Sequence, residues 1–310
     1  MPSPPGLLRR FRWLPVLAVA GALAACGPGR SAPASPPPAS PSSTGVVSPA
    51  TAPPPTRPTV DSIDDCSPIP QGIGAPAAGP VDFIGPVVIF FEASVGDVKQ
   101  ARVSEGVRAG QRLVEETLGG FRFDEPICVD VRATTTSSST VGVVYGANHI
   151  VLYAGARPVM EGPPWLLSHV AAHEFMHFWQ QDVGAPREAV GPVWLLEGSA
   201  ELLGYRALIA AGLATENETR EFSLRRVAPD TPSLQTMERR SSDDDEFSYP
   251  LSFLAAELLI AGTGVGSFRD YWRSLSRGTP WETAFTESFG VTPGEFYARF
   301  QENRSRGFPR

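Results

Sequence analysis

Two apolar segments, "GPPWLLSHVAAHEFMHFWQQDVG" (162–184) and "GPVWLLEGSAELLGYRALIAAG" (191–212), constrain this chain more than any other feature. Each has a proline near its first helical position and a glycine at its end, the punctuation of a helix in a globular core. Yet each carries ionisable groups inside the apolar run. The first holds His169, His173, Glu174 and His177, three of the chain's four histidines among them; the second holds Glu197 and Glu201. Carboxylates set among Trp194, Leu195, Leu196, Leu202 and Leu203 are costly to bury unless something cationic compensates them. A fold that accepts both segments has to bring opposite charges together or hold an ion.

The spacing narrows that choice. His173 and His177 stand at i and i+4, on one helix face a turn apart, so both imidazoles can reach one cation. Glu174 is rotated by about 100° from His173, which sets its carboxylate beside such an ion and not on it. Zinc needs a third protein ligand and an open position for water. Glu197 and Glu201, again four apart, offer a carboxylate from the second helix. By themselves those two glutamates would read as the solvent face of an amphipathic helix. His169 extends the histidine row, but it lies about 12 Å along the axis from His177, beyond one coordination sphere. It is read as a packing or hydrogen-bonding residue.

"HEFMH", with 19 residues between it and the first glutamate of "WLLEGSAE", resembles the gluzincin metallopeptidases, the clan of thermolysin-like and aminopeptidase-like enzymes. The resemblance implies Zn2+ held by His173, His177 and Glu197, with Glu174 as general base. It makes Glu201 the acceptor that orients a ligand imidazole, His173 first. "SYPLSFLAAELL" (248–259) is similar to the tyrosine-bearing helix start of aminopeptidase-type members, which implies that Tyr249 donates to the oxyanion; Tyr205, Tyr271 and Tyr297 are its competitors. The likeness spans residues 141–300 and is strongest over 165–205. The chain lacks the "GAMEN"-type strand of true aminopeptidases and has "VYGANHIVLY" in a comparable place. The implied activity is that of a zinc-dependent metallopeptidase, an endopeptidase before an aminopeptidase, acting on a peptide or protein substrate. A non-catalytic surface lipoprotein that uses the same fold for binding stays open, as does a zinc hydrolase of non-peptide amides.

The rest of the chain sets the fold class. "PVVIFFEAS" (86–94) reads as a buried strand. The segment 95–120 then reads as a helix with Val98, Val103, Val107 and Leu113 on its apolar side and a Gly-Gly stop. "ICVDVRAT" (127–134) alternates with period two, a strand with one buried face. "TTTSSST" is a polar loop, and "VGVVYGANHIVLYAG" (141–155) gives one or two strands at the sheet edge, where His149 can approach the cleft or serve the structure. Apolar helices follow, interrupted by the acidic "SSDDDEF" (241–247), read as a solvated loop. The sum is an α+β fold: a small, mainly β N-terminal lobe (64–160, a mixed sheet plus one helix), then a mostly helical zincin-like lobe (161–310).

The amino end reads differently. Residues 1–25 place Arg9, Arg10 and Arg12 before the apolar "WLPVLAVAGALAA", too short for a comfortable bilayer span and suited to an export signal. "LAAC" resembles the bacterial lipoprotein box, which implies lipidation of Cys26 and an outward-facing membrane anchor. Residues 26–63, rich in Pro, Ala and Ser, have nothing to bury and read as a disordered tether reaching about 100 Å. Cys66 and Cys128 are then an even pair in an oxidising compartment, open to a disulfide or to two buried thiols. Without the three signal arginines the net charge of −7 becomes about −10. With no basic patch, nucleic acid is not a partner.

Overall fold

Five strands make one mixed sheet in the order β1-β2-β3-β5-β4. In the computed structural model of the chain, the described residues are Cys66 and 78–120, 125–133, 141–145, 148–183, 191–227, 230–238 and 248–308. The expected export signal and tether, Cys26, and the "TTTSSST" and "SSDDDEF" stretches lie outside them.

β1 (Val81–Ile84) runs antiparallel to β2 (Val87–Phe91), and the two are joined through Gly85 at φ 56°. β2 pairs parallel with β3 (Ile127–Arg132), and β3 pairs parallel with β5 (His149–Tyr153). β4 (Gly142–Tyr145) closes the edge antiparallel to β5. The segment 141–155 therefore forms a two-strand hairpin whose first strand takes the edge. β1 has no clear signature in the sequence: "VDFI" is four residues long and its side chains are mostly solvated.

β3 departs from the expectation of one buried face, since five of its six residues are buried. Ile127, Val129 and Val131 join the main core, while Cys128 on the other face joins Val88, Phe90 and Cys66 in a second apolar cluster. Cys66, tied to Cys128 by a disulfide, lies against that outer face. His149 belongs to the same side: it is buried, with Nε2 3.3 Å from the Cys66 carbonyl oxygen and Nδ1 2.9 Å from Asn148 Oδ1. Its role is structural.

α1 (Asp97–Leu113) crosses between β2 and β3 and ends in a π-helical turn, Val114–Leu118, capped by Gly119 at φ 94°. Val103 and Val107 are fully buried, as an amphipathic helix requires. Val98 is not part of that face; it sits in the first turn, 75% exposed. After the short α2 (Arg157–Glu161) come α3 (Leu166–Asp182) and α4 (Val193–Ala210), then α5 (Glu216–Arg226), α6 (Leu234–Met237), α7 (Tyr249–Ile260), α8 (Gly266–Ser276), α9 (Trp281–Phe289) and α10 (Pro293–Ser305).

α3 and α4 occupy the middle of this assembly, and two glycines let their neighbours close on them. A Cβ on Gly106 of α1 would stand 2.1 Å from the Ser168 carbonyl oxygen, and one on Gly198 of α4 would stand 2.3 Å from that of Ser252 on α7. Such contacts are closed to any larger residue. One hydrophobic cluster runs from Ile84 in the sheet to Phe300 in α10, so the β and helical parts share a core. Among the described residues no helix is long and apolar enough to cross a membrane.

Candidate metal centre

α3 and α4 pack side by side with opposite directions. Stepping back a turn on α3 therefore matches stepping forward a turn on α4: His173 faces Glu197, and His169 faces Glu201. The i, i+4 rows legible in the sequence become two successive His–Glu layers.

In the first layer three donor atoms converge. His173 Nε2 and His177 Nε2 are 3.1 Å apart, and Glu197 Oε2 lies 3.4 and 3.3 Å from them. Ligands held about 2.0–2.2 Å from one zinc at the tetrahedral angle stand roughly 3.3 Å from each other. The three separations match that spacing, and imidazole and carboxylate are a donor set that zinc accepts. His173, His177 and Glu197 thus fit the ion, with two nitrogens and one oxygen directed at a common point.

The orientation of His177 is built by residues that the sequence reading did not single out. The Gln180 side-chain amide nitrogen donates to the Leu196 carbonyl (2.8 Å) and to Ser199 Oγ (2.9 Å), which uses both its hydrogens. Gln180 Oε1 is left to accept from His177 Nδ1, 2.8 Å away. In the neutral ring that bond puts the His177 proton on Nδ1 and leaves Nε2 bare towards His173 and Glu197. The signal was present as the i+3 spacing from His177 within "HFWQQ", but a glutamine on an apolar helix is ordinary until its partners on α4 are known.

Glu201 differs from its expected role. The resemblance implies His173 as its first partner, but its Oε2 is hydrogen-bonded to His169 Nε2 and stands 3.9 Å from His173 Nδ1. The antiparallel packing is the reason, since the second glutamate lies a turn further along α4 and meets the histidine a turn earlier on α3. His169 is accordingly a hydrogen-bonding residue, with its ring stacked on Tyr205 at 3.8 Å.

Electrostatics support the same division. Burial lowers the affinity of His177 for a proton, but the Glu197 carboxylate outweighs it and holds the pKa at about 9. Burial likewise pulls His173 down, and Glu197 again raises it overall. Burial pushes the Glu197 carboxyl up, yet His177 and His173 hold it below the usual carboxylate range. This layer is therefore arranged to stabilise positive charge. Glu174 behaves oppositely: burial raises its pKa against the pull of His173 and His177, so it has proton affinity to spare. A proton acceptor beside an electrophilic centre needs that property.

Two further residues stand beside the site. Gly142 on the edge strand β4 leaves the space that Glu174 fills; a Cβ there would stand 2.5 Å from Glu174 Oε1. No pattern along the chain marks this glycine; only the contact between β4 and α3 makes it visible. Tyr249, at the start of α7 and capped by Ser248, has its ring centroid 6.0 Å from that of His173. Of the competing tyrosines, Tyr205 packs on His169, while Tyr271 and Tyr297 sit among the aromatic residues of the C-terminal helices.

No protein-family model matches the chain, and no curated protein does. Comparison of three-dimensional structures finds similarity to the M1 zinc metallopeptidase from Deinococcus radiodurans, at 17% identity over 73% of this chain and 50% of that one, TM-score 0.44. A point variant of that enzyme gives the same values. Yeast LTA4 hydrolase in complex with bestatin is similar at 14% identity over 73% of this chain and 37% of that one, TM-score 0.41. This chain spans half or less of the length of either enzyme. Likeness of this degree leaves the reading of the site to its own side chains.

Proposed function

We propose that this chain is a zinc-dependent hydrolase of peptide bonds, with His173, His177 and Glu197 as zinc ligands. The observation that carries this reading is the convergence of their three donor atoms, 3.1–3.4 Å apart, beside the buried Glu174. Bound zinc supplies a Lewis acid that polarises a carbonyl and brings the pKa of water towards neutrality. Glu174 accepts the proton of the attacking water and passes it to the leaving amine, a use that its raised proton affinity favours. Tyr249 donates to the oxyanion from the first turn of α7, where the helix dipole also favours negative charge. Gln180 holds the His177 imidazole from behind, and the Glu201 carboxylate faces the far nitrogen of His173. The missing amine-recognition strand favours cleavage within a chain over removal of the first residue. The "LAAC" box supports attachment of the exported protein through Cys26.

The test combines metal content with one substitution. The purified protein is expected to hold one zinc per chain and to cut peptides from a diverse, end-blocked pool. Glu174→Gln is expected to keep the zinc and lose about 10²- to 10⁴-fold in rate. A protein that takes up no zinc under metal-replete conditions overturns the assignment. One that binds zinc and retains peptides uncut is a binding protein. Detergent partition of wild type against Cys26→Ser tests the anchor.

A further inference from the structure

The geometry points to His169 as a positioning residue for the metal centre: by holding the Glu201 carboxylate it fixes the group that faces the far nitrogen of His173. This inference rests on the zinc reading given above. Glu201 Oε2 is the shared atom, hydrogen-bonded to His169 Nε2 and 3.9 Å from His173 Nδ1. A glutamate side chain has three rotatable bonds, and a neighbour at 3.9 Å does not hold its carboxylate in place. The bond to His169 does. The His169 ring is itself immobile on one side, stacked on Tyr205 with 11° between the planes, and Trp165 stands edge-on to it at 6.3 Å. On α4, Gly204 leaves the room this ring needs, since a Cβ there would come within 3.2 Å of His169 Cε1.

Packing alone does not account for an imidazole at this place. His169 Nδ1 is buried without a hydrogen-bond partner among the described residues, so Glu201 is the ring's one polar contact. A phenylalanine would fill the same aromatic stack and leave no buried ring nitrogen bare. The bond to Glu201 is what the histidine adds. His169, His173 and Glu201 also lie close enough together to suggest a second ion. The direct contact between His169 and Glu201 occupies the space such an ion would need, so the cluster holds a proton between its members.

The test measures zinc affinity by chelator competition and the visible spectrum of the cobalt-substituted protein, with no assay of activity. His169→Phe is expected to weaken zinc binding about 10- to 100-fold and to shift the cobalt bands, while His169→Gln, which keeps a donor, recovers most of the loss. The double variant His169→Phe/Glu201→Gln should bind no more weakly than Glu201→Gln alone, because both act through one carboxylate. Unchanged zinc binding in a folded His169→Phe protein overturns the proposal, as do additive losses in the double variant or two tightly held zinc ions per chain. Nitrogen NMR of the zinc-loaded wild type decides the matter even where His169→Phe fails to fold: the proton is expected on His169 Nε2, and a proton on Nδ1 refutes the role. Failure of wild type to hold zinc would instead bring down the metal reading itself, before any variant is compared.

Discussion

The two His–Glu layers between α3 and α4 use the same residue types at the same spacing and reach different ends. In the layer of His173, His177 and Glu197, three lone-pair donors stand 3.1–3.4 Å apart around a common point. A turn away, His169 and Glu201 touch directly, under the ring of Tyr205. The first layer has two imidazoles on one carboxylate, with Glu174 buried near them; the second has one imidazole on one carboxylate and packs against the rings of Tyr205 and Trp165. Donor number and the space left between donors decide whether such a pair holds a cation or a proton. Residue identity does not.

Four substitutions probe that contrast, starting with the one that should change most. Glu197→Gln removes the anionic ligand of the first layer and leaves its imidazoles without a compensating charge. Zinc affinity is expected to fall about 10³-fold or more, measured by competition with a chromogenic chelator. If the loss is no larger than for Glu201→Gln, the two layers are equivalent and the contrast is wrong.

Gln180→Leu comes next. It frees His177 Nδ1 and removes the donors to Leu196 and Ser199, so zinc binding should weaken about 10- to 100-fold. Stability should fall too, by the roughly 1–3 kcal/mol of a buried polar group left unpaired, read as a lower melting temperature. Gly142→Ala then separates the chemistry from the metal. The added methyl group presses on the Glu174 carboxylate, and kcat on a cleaved peptide should drop about tenfold with zinc affinity unchanged. Equal loss of both would mean that β4 supports the ligands and not the base.

The smallest effect lies outside the site and calibrates a carboxylate whose partners face solvent. Glu295 closes a capping box at the start of α10 through the Thr292 hydroxyl and amide, which together hold its pKa below the usual value. A depressed carboxylate pKa adds stability above its unfolded value, and that stability is lost as the pH falls through the folded one. Glu295→Ala should therefore lower the melting temperature by about 1–2 °C at pH 7, and the difference should shrink as the pH falls below the usual carboxylate value. A difference that persists in acid would mean that the box acts through packing.

Much of this was legible in the chain itself. The apolar runs with Pro starts and Gly stops gave α3, α4 and α7 close to their observed limits, and the α+β order follows from strands before helices. The failures have physical causes. Alternation in "ICVDVR" describes two faces but not what packs on each, and here Cys66 packs on the second with Val88 and Phe90. Val98 has the right residue type and spacing for the core, yet the first turn of α1 extends beyond anything that could bury it.

By itself the sequence determined that two helices carry histidines and glutamates in i, i+4 rows too apolar to leave those charges unpaired. Helical periodicity and the cost of desolvating a carboxylate are local properties, and they can be read along a chain. Which histidine meets which glutamate, that Gln180 stands behind His177, and that Gly142 makes room for Glu174 were decided only by the tertiary structure. Those pairings depend on the antiparallel direction of α4 against α3 and on the β4 edge beside them. Both arise from packing among residues distant in the chain, and no spacing within either helix encodes them.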